Sequence, residues 1–271
     1  MLQTTTRIAH LFAACKEQNR KAFIAYITAG DPSPAHTASL VLALERGGAD
    51  LVELGVPFSD PIADGPVIQR ASERALKAHT TLPRVLEIVR EIRRHSQIPL
   101  LLFSYMNPLL RYGFEKLAAD AANAGVDGVL LTDLCIEEAD DSARRLRAHG
   151  LDTVFLAAPT STERRLRLVA EHSSGFIYLV SRTGVTGERE SLPQSAVELA
   201  ARMRELTNVP LAIGFGISTP QHVAEVAGIA DGVVVGSALV RFIETNAGAS
   251  DLPARLEGFT RQLTAPLRKQ P

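Results

Sequence analysis

Residues 50–66 read DLVELGVPFSDPIADGP, an apolar strand pattern that ends in a carboxylate and runs into a stiff loop with two more. Successive side chains of a strand alternate between its two faces, so Leu51 and Glu53 share one face. If Leu51 points into an aliphatic interior, Glu53 does too. A buried carboxyl group is costly unless it is paired or stays protonated through a raised pKa. Glu53 is therefore a candidate general acid or base, with a salt-bridged structural glutamate as the alternative.

The composition of the 271-residue chain is that of an ordinary globular protein, with 46% hydrophobic residues, 22% charged residues and a formal net charge of -1. This near-neutral balance argues against nucleic acid as a partner, because binding it requires a concentrated basic face. No apolar run approaches the ~20 residues of a membrane span, and residues 1–20 lack a signal-peptide pattern. The two distant cysteines, Cys15 and Cys135, favour reduced thiols, so we expect a cytoplasmic protein without a membrane partner.

Short apolar or β-branched runs alternate along the chain with amphipathic stretches of helical spacing. Because this repetition has no break in composition, we predict an α/β fold, a single (β/α)8 TIM-barrel domain over residues 1–271. An open doubly wound sheet gives the same signals and is the alternative. We expect an extra N-terminal helix that closes the barrel floor and an additional helix, residues 66–78, after the second strand. The eight predicted strands are residues 22–28, 50–54, 98–104, 128–132, 153–157, 176–180, 210–214 and 232–235.

Three glycine-containing segments follow the last three predicted strands, at the end of the barrel where active sites lie. They are residues 181–187 (SRTGVTG), 214–218 (GFGIS) and 236–239 (GSAL). Glycine lets the backbone approach a ligand, and the amides at a helix N-terminus favour an anion. Each segment alone also fits a turn or a packing contact. Together, in register with the strands, they predict a phosphate site.

Several barrel chemistries lack the residues that they require. None of the five lysines lies at the C-terminal end of a predicted strand, which argues against a Schiff-base aldolase. The seven histidines fall on helices or helix ends without ligand spacing, which argues against a metal site. No dinucleotide fingerprint occurs. The sequence therefore predicts a phosphorylated substrate and carboxylates that work without a metal or cofactor.

Residues 53–66 (ELGVPFSDPIADGP) closely resemble the signature of the tryptophan synthase alpha chain family. Further matches follow in order at residues 26–32 (YITAGDP), 178–187 (YLVSRTGVTG), 214–218 (GFGIS) and 235–238 (VGSA). The resemblance implies a (β/α)8 barrel that takes part in tryptophan biosynthesis by cleaving indole-3-glycerol phosphate to indole and glyceraldehyde 3-phosphate. It also implies a beta chain as partner, in an alpha2-beta2 heterotetramer where pyridoxal phosphate sits in the beta chain and this chain has no cofactor.

Other functions remain open at this stage. A stand-alone lyase would release free indole, and a non-catalytic subunit would only activate a partner, although Glu53 and Asp64 speak against the second. Indole-3-glycerol phosphate synthase, a neighbouring barrel enzyme, is disfavoured because its chemistry uses a strand-end lysine that is missing here.

The resemblance also implies a role for individual residues. Glu53 would be the acid–base group and Asp64 the carboxylate facing the indole nitrogen, with Asp60 as the rival for the second role. The phosphate would be held by Gly187, Gly216, Gly236 and Ser237. The substrate pocket would be lined by Tyr26, Phe103, Leu130, Tyr178 and Phe215, with Tyr178 beside the glyceryl part. Asp60, Pro61 and Asn107 would lie toward the beta chain.

One departure from the family pattern concerns the stiffness of the loop after the fourth strand, where Cys135 replaces a proline common in the family.

The chemistry of this cleavage needs two carboxyl groups with different tasks. The carbon–carbon bond to indole breaks readily once ring carbon 3 is protonated, which makes a cation and turns the side chain into a leaving aldehyde. Glu53 can give a proton to carbon and take one from the glyceryl hydroxyl if its pKa lies near neutrality. An ionised Asp64 near the ring nitrogen would stabilise the cation. The alternative for Asp60 and Asp64 is turn capping beside proline and glycine.

Overall fold

The computed structural model describes residues 6–180, 193–214 and 216–268. Within these residues nine parallel strands form one sheet in the order β5-β4-β3-β2-β1-β9-β8-β7-β6. The strands are β1 Ala22–Thr28, β2 Leu51–Gly55, β3 Leu100–Ser104, β4 Gly128–Leu131, β5 Asp152–Val154, β6 Leu156–Ala157, β7 Ile177–Val180, β8 Leu211–Gly214 and β9 Gly232–Val235.

The two outermost strands of this order, β5 and β6, are separated in the chain only by Phe155. Residues of β5 pair with β4, whereas the Phe155 carbonyl accepts from the Tyr178 amide and β6 pairs with β7. One interrupted chain segment therefore joins both edges of the sheet. The predicted eight-unit barrel is confirmed, the open-sheet alternative is wrong, and the predicted fifth strand is two short ones.

Helices surround the sheet. Within the described residues they are α1 Arg7–Glu17, α2 Pro34–Gly47, α3 Pro66–Lys77, α4 Leu82–Arg93, α5 Met106–Tyr112, α6 Phe114–Ala124, α7 Ala139–Ala148, α8 Glu163–His172, α9 Gln194–Leu206, α10 Pro220–Ala227, α11 Ser237–Asn246 and α12 Leu252–Thr264. The two predicted additions are α1 and α3. None of these helices combines the length and the apolar character that a membrane crossing requires.

Helix α5 follows β3 and includes Asn107-Pro108, a residue pair that is typical of a turn and gives no local signal for a helix. The helix begins at Met106, whose amide donates to the Asp133 carboxylate at 2.8 Å. Pro108 then lies in the first turn, where its missing N–H leaves no helical hydrogen bond unmade. A contact from the next loop therefore starts this helix, and local sequence could not predict it.

Strand side chains alternate between the barrel interior and the layer under the helices. Ile24, Leu51 and Leu101 belong to the interior cluster, whereas Val52 and Leu54 pack in the outer layer. At the floor, the interior is closed by α1, whose Phe12 ring lies 5.7 Å from the ring of Phe176. The expected role of the N-terminal helix is thus confirmed.

Aspartates just before three strands strengthen the floor. The carboxylates of Asp50, Asp127 and Asp231 accept backbone amides of the neighbouring strand at 2.8, 2.8 and 2.9 Å, from Phe23, Leu100 and Leu211 respectively. Each carboxylate also pairs with an arginine, namely Arg20, Arg93 and Arg204. These contacts stabilise the end of the barrel away from the catalytic loops.

Candidate active site

Glu53 lies in the middle of β2 and points into the barrel, opposite Tyr26 of β1 and Leu101 of β3. Its side chain is buried, and among the described residues its Oε1 atom has no hydrogen-bond partner. Burial raises the pKa of this carboxyl to about 8, because removal from water disfavours the charged form. A proton is therefore held here at neutral pH, as an acid catalyst requires.

Asp64 lies in the loop between β2 and α3 and is half-buried. The Tyr105 hydroxyl donates to its Oδ2 atom at 3.0 Å and accepts the Ala63 amide at 3.0 Å, so one phenol holds both carboxylate and loop. Burial raises the pKa of Asp64 to about 6, and the Tyr105 hydrogen bond opposes this rise. The Gln69 side-chain amide adds a bond to the Asp64 carbonyl at 2.9 Å.

Tyr105 is a site residue that sequence reasoning did not assign. It follows the last residue of β3, and an aromatic with a hydroxyl at a strand end was the available signal. Its contact with Asp64 joins residues 41 positions apart, which no local pattern indicates.

One cavity at the C-terminal end of the strands contains both carboxylates. It encloses about 530 Å³, including its open mouth. Eight predicted site residues line it, namely Tyr26, Glu53, Asp64, Phe103, Tyr178, Gly216, Gly236 and Ser237. Unpredicted lining residues are Ala63, Gly65, Ile68, Ile217 and Val234.

Leu130 is buried beside Phe103 in the interior cluster and is not among the lining residues. Gly187 and Phe215 lie outside the described residues.

Two tyrosines fit into the cavity wall because glycines stand at neighbouring strand ends. A Cβ atom at Gly55 would lie 2.2 Å from the Tyr26 hydroxyl, and one at Gly214 would lie 2.1 Å from the Tyr178 hydroxyl. Tyr26 also packs edge-on against Phe103, with ring centroids 5.1 Å apart. Burial raises the pKa of both phenols well above the ordinary value, so both stay neutral.

The far wall of the cavity can hold an anion. Gly236 precedes α11, and Ser237 begins it. The first amides of a helix have no acceptor within it, and the helix dipole favours negative charge there. A Cβ atom at Gly236 would make an ordinary contact with Tyr26, 3.5 Å from its Cβ, so a larger side chain here would be directed at a residue that lines the cavity. Gly216 has a φ of +80°, a conformation that favours glycine.

The residues expected at a partner surface lie outside this cavity. Asp60 is exposed and accepts the Ser59 hydroxyl at 2.5 Å. Asp60 and Asn107 line a separate open groove with Leu110. Ile62, next to Pro61, is 85% exposed and Leu110 is 58% exposed, which is unusual for large apolar side chains. Because Asp60 faces this groove, Asp64 is the better placed of the two for chemistry.

Cys135 keeps the backbone shape that a proline would impose. Its φ is -61° and its ψ is 132°, close to the fixed φ of proline. The thiol is exposed at the start of a short 3-10 turn, Ile136–Glu138. The loop therefore has the φ angle that a proline would fix at residue 135, without the covalent restraint of the proline ring.

Comparisons with known proteins agree with this geometry. The tryptophan synthase alpha chain family model matches residues 12–265. A tryptophan synthase alpha chain of Solibacter usitatus (strain Ellin6076) is 65% identical over 258 residues, covering 95% of this chain and 97% of that protein. One of Geotalea uraniireducens (strain Rf4) is 53% identical over 260 residues, covering 96% and 97%.

Solved structures give the same result. A chain of Mycobacterium tuberculosis tryptophan synthase superposes with a TM-score of 0.90 at 37% identity, covering 98% of this chain and 100% of that one. Tryptophan synthase subunit alpha of Legionella pneumophila str. Paris gives 0.88 at 38% identity, covering 98% and 99%. The alpha subunit carries no cofactor, and pyridoxal phosphate belongs to the beta subunit. The chain belongs to the tryptophan synthase alpha chain family, and it is a lyase that cleaves indole-3-glycerol phosphate to indole and glyceraldehyde 3-phosphate.

Proposed function

We propose that Glu53 and Asp64 perform this cleavage together, with the substrate phosphate on the amides at the start of α11. The observation that carries the proposal is the setting of Glu53: a buried carboxyl whose Oε1 has no partner among the described residues, in the same cavity as Asp64 and Ser237. The substrate would span this cavity, with its indole ring toward Asp64 and its phosphate toward Gly216, Gly236 and Ser237. Gly187 is proposed for the same phosphate.

Glu53 acts first as an acid. With a pKa of about 8 it is protonated at neutral pH and gives its proton to ring carbon 3 of indole-3-glycerol phosphate. The ring becomes an indoleninium cation, and the carboxyl becomes a carboxylate. The bond between ring carbon 3 and the glyceryl chain is now weak, because its electron pair can return to the cationic ring.

Glu53 then acts as a base. Its carboxylate takes the proton from the glyceryl hydroxyl next to the ring. The oxygen forms the aldehyde of glyceraldehyde 3-phosphate as the carbon–carbon bond breaks, and the bonding electrons restore neutral indole. Glu53 ends protonated, so the cycle needs no external proton and no cofactor. Tyr178, which lines the cavity, is proposed to lie beside the glyceryl part and to orient this hydroxyl.

Asp64 acts through its charge. With a pKa of about 6 it is ionised at neutral pH, so it can accept the indole N–H and stabilise the cation. The Tyr105 hydrogen bond fixes the carboxylate before the reaction starts. A preorganised electrostatic group of this kind contributes about 3–4 kcal/mol to lowering a barrier. Tyr26 and Phe103, with Phe215, are proposed as the remaining wall around the ring, and the buried Leu130 is proposed to support this wall beside Phe103.

The setting of the reaction is proposed from the family. The chain would form one domain over residues 1–271 and work in the cytoplasm with a beta chain in an alpha2-beta2 heterotetramer, passing indole to it. Asp60, Pro61 and Asn107 would face the beta chain. The exposed apolar side chains of Ile62 and Leu110 near these residues support this location.

The test is an indole-release assay on indole-3-glycerol phosphate, with and without a beta chain. Glu53→Gln should abolish release, because the amide keeps the shape and loses the proton. The control is binding of glycerol 3-phosphate, which the same variant should retain. Release within about tenfold of the unchanged chain, a barrier change of only ~1.4 kcal/mol, would remove Glu53 from the acid–base role. Failure of a beta chain to bind would instead favour a stand-alone lyase.

A further inference from the structure

One arginine on α3 connects three segments around the cavity. Arg74 donates from Nε and Nη2 to the two carboxylate oxygens of Asp31, at 2.7 and 2.9 Å. Its Nη1 atom donates to Glu244 of α11 at 2.7 Å. Glu244 also accepts two hydrogen bonds from Arg70, both at 2.9 Å, and the Arg70 bond is the main cause that lowers the pKa of Glu244 to about 2. Arg70 and Arg74 thus share Glu244, and Arg74 alone of the two arginines also pairs with Asp31.

The buried end of this network is the Asp31 carboxylate, 2% exposed, in the loop that follows β1. A buried carboxylate held at both oxygens by one planar guanidinium has little freedom to move. Gly30, which precedes it, has a φ of +90° and would clash with Thr80 if it carried a Cβ atom. The loop therefore gives Arg74 a fixed anchor point against β1.

The two helices joined by this arginine carry opposite ends of the proposed substrate site. Helix α3 begins directly after Asp64-Gly65, and Arg74 lies eight residues into it, about 12 Å along its axis. Helix α11 begins at Ser237, and Glu244 lies about 10 Å along its axis. The helices also pack against each other. The Arg74–Glu244 contact, with the two Arg70–Glu244 hydrogen bonds beside it, thus ties the helix that follows the Asp64 loop to the helix at the proposed phosphate end of the cavity.

We propose that Arg74 is a positioning residue for the cleavage reaction, which fixes the spacing between the indole-binding and phosphate-binding ends of the site by tying α3 to α11 and to Asp31. The inference rests on the proposed roles of Asp64 and of the α11 N-terminus. Loss of Arg74 is therefore expected to weaken the binding of some ligands and not of others. A ligand that touches both ends depends on their spacing, whereas a ligand that touches one end does not.

The test compares two ligands on the full chain. Glycerol 3-phosphate occupies only the phosphate end, and an uncleavable indole-3-alkyl phosphate spans both. The chain has no tryptophan, so the indole fluorescence of the second ligand reports its binding directly. Arg74→Met should weaken the two-ended ligand by about tenfold or more and glycerol 3-phosphate by less than about threefold. In turnover, KM for indole-3-glycerol phosphate should rise by a larger factor than kcat falls.

A second variant keeps the test decisive if Arg74→Met does not fold, since that change leaves Asp31 buried without its partner. Glu244→Gln removes the charge that Arg70 and Arg74 share on α11, at a partly exposed position, and leaves the Arg74–Asp31 pair in place, so it should give the same selective loss. The matched control is Arg46→Met. Arg46 lies on α2 and donates to Glu257 of α12 at 2.7 Å, away from the site. This control variant should change the binding of neither ligand.

Equal weakening of both ligands, or no weakening of either, in a folded variant would overturn the proposal. A reference variant separates this result from an error in the site itself. Gly236→Val places a side chain at the phosphate wall and should weaken glycerol 3-phosphate strongly. If Gly236→Val has no effect on that ligand, the phosphate assignment is wrong, whatever Arg74 does.

Discussion

At the scale of single residues, the site depends on two carboxyl groups with different surroundings. Glu53 is enclosed by the barrel interior, whereas Asp64 is half-buried in the loop before α3 and accepts a hydrogen bond from Tyr105. Burial raises both pKa values, to about 8 for Glu53 and about 6 for Asp64. Between these values one group holds its proton and the other has lost it, which is the division of labour that the reaction needs.

This difference predicts a bell-shaped pH dependence of kcat/KM. Activity should rise as Asp64 ionises near pH 6 and fall as Glu53 loses its proton near pH 8, because the acid form of Glu53 starts the reaction. The measurement is indole release by the isolated chain from pH 5 to pH 9. In Asp64→Asn the acid limb should vanish while the alkaline limb stays. An acid limb that persists in this variant would contradict the assignment of Asp64.

A second residue-scale prediction concerns stability. The pKa of Glu53 is about 8 in the folded chain against an ordinary 4.5, so the folded state binds this proton more tightly than the unfolded state. Its contribution to stability is therefore full at low pH and is lost as pH rises from about 4.5 to about 8. Glu53→Gln should raise the free energy of unfolding by on the order of 2–3 kcal/mol at pH 7, less any cost of burying the amide.

Urea unfolding at pH 5 and pH 8 measures this effect, and the gain from Glu53→Gln should be larger at pH 8. The control is Glu257→Gln, where the Arg46 hydrogen bond lowers the carboxyl pKa. For Glu257→Gln the change in the free energy of unfolding should have the opposite sign, because the folded state favours the charged form of Glu257. A gain from Glu53→Gln that is independent of pH would show that packing, not ionisation, causes it.

At the scale of elements, the loop after β4 offers a test of chain stiffness. Cys135 has the φ of a proline, and within the described residues its amide makes no hydrogen bond. Cys135→Pro should therefore stabilise the fold by about 0.4–1 kcal/mol, because it restricts the unfolded chain and removes no native bond. For a chain of this size the melting temperature should rise by about 1–3 °C.

The matched control for that loop is Cys135→Ala, which removes the thiol without restricting the backbone and should leave the melting temperature nearly unchanged. If Cys135→Pro lowers the melting temperature, the backbone at residue 135 differs from the described geometry. Cleavage activity should be unaffected by either change, since Cys135 does not line the cavity.

At the scale of the whole molecule, the exposed apolar groove beside the catalytic loop predicts where a beta chain binds. Leu110 of α5 is 58% exposed and lines this groove with Asp60 and Asn107. Leu110→Asp should weaken beta-chain binding by about tenfold or more, since a charge would be buried at the interface. Cleavage by the isolated chain should not change. Titration of the beta chain, with Ser250→Asp as a control charge in the turn before α12, provides the measurement.

The sequence alone determined the order of the strands and of the helices other than α5, and the positions of the chemical groups along the chain. Seven of the predicted strands are single strands in the barrel, with ends shifted by no more than two residues, because hydrophobic periodicity and glycine stops are local signals. The inward direction of Glu53 followed from the alternation of side chains along β2. The 14-residue signature indicated the family, and the comparisons confirmed it.

Only the tertiary structure decided the contacts that barrel closure makes. Phe155 interrupts the fifth strand where the two sheet edges meet, and α5 starts on a contact from Asp133. Tyr105 reaches Asp64 across 41 positions and Arg74 reaches Glu244 across 170. Such pairs leave no periodic trace in the sequence, because each depends on the whole sheet bringing distant strand ends to one rim. The residue types at the site could therefore be predicted from the sequence, whereas the distances between them and the contacts that hold them in place could not.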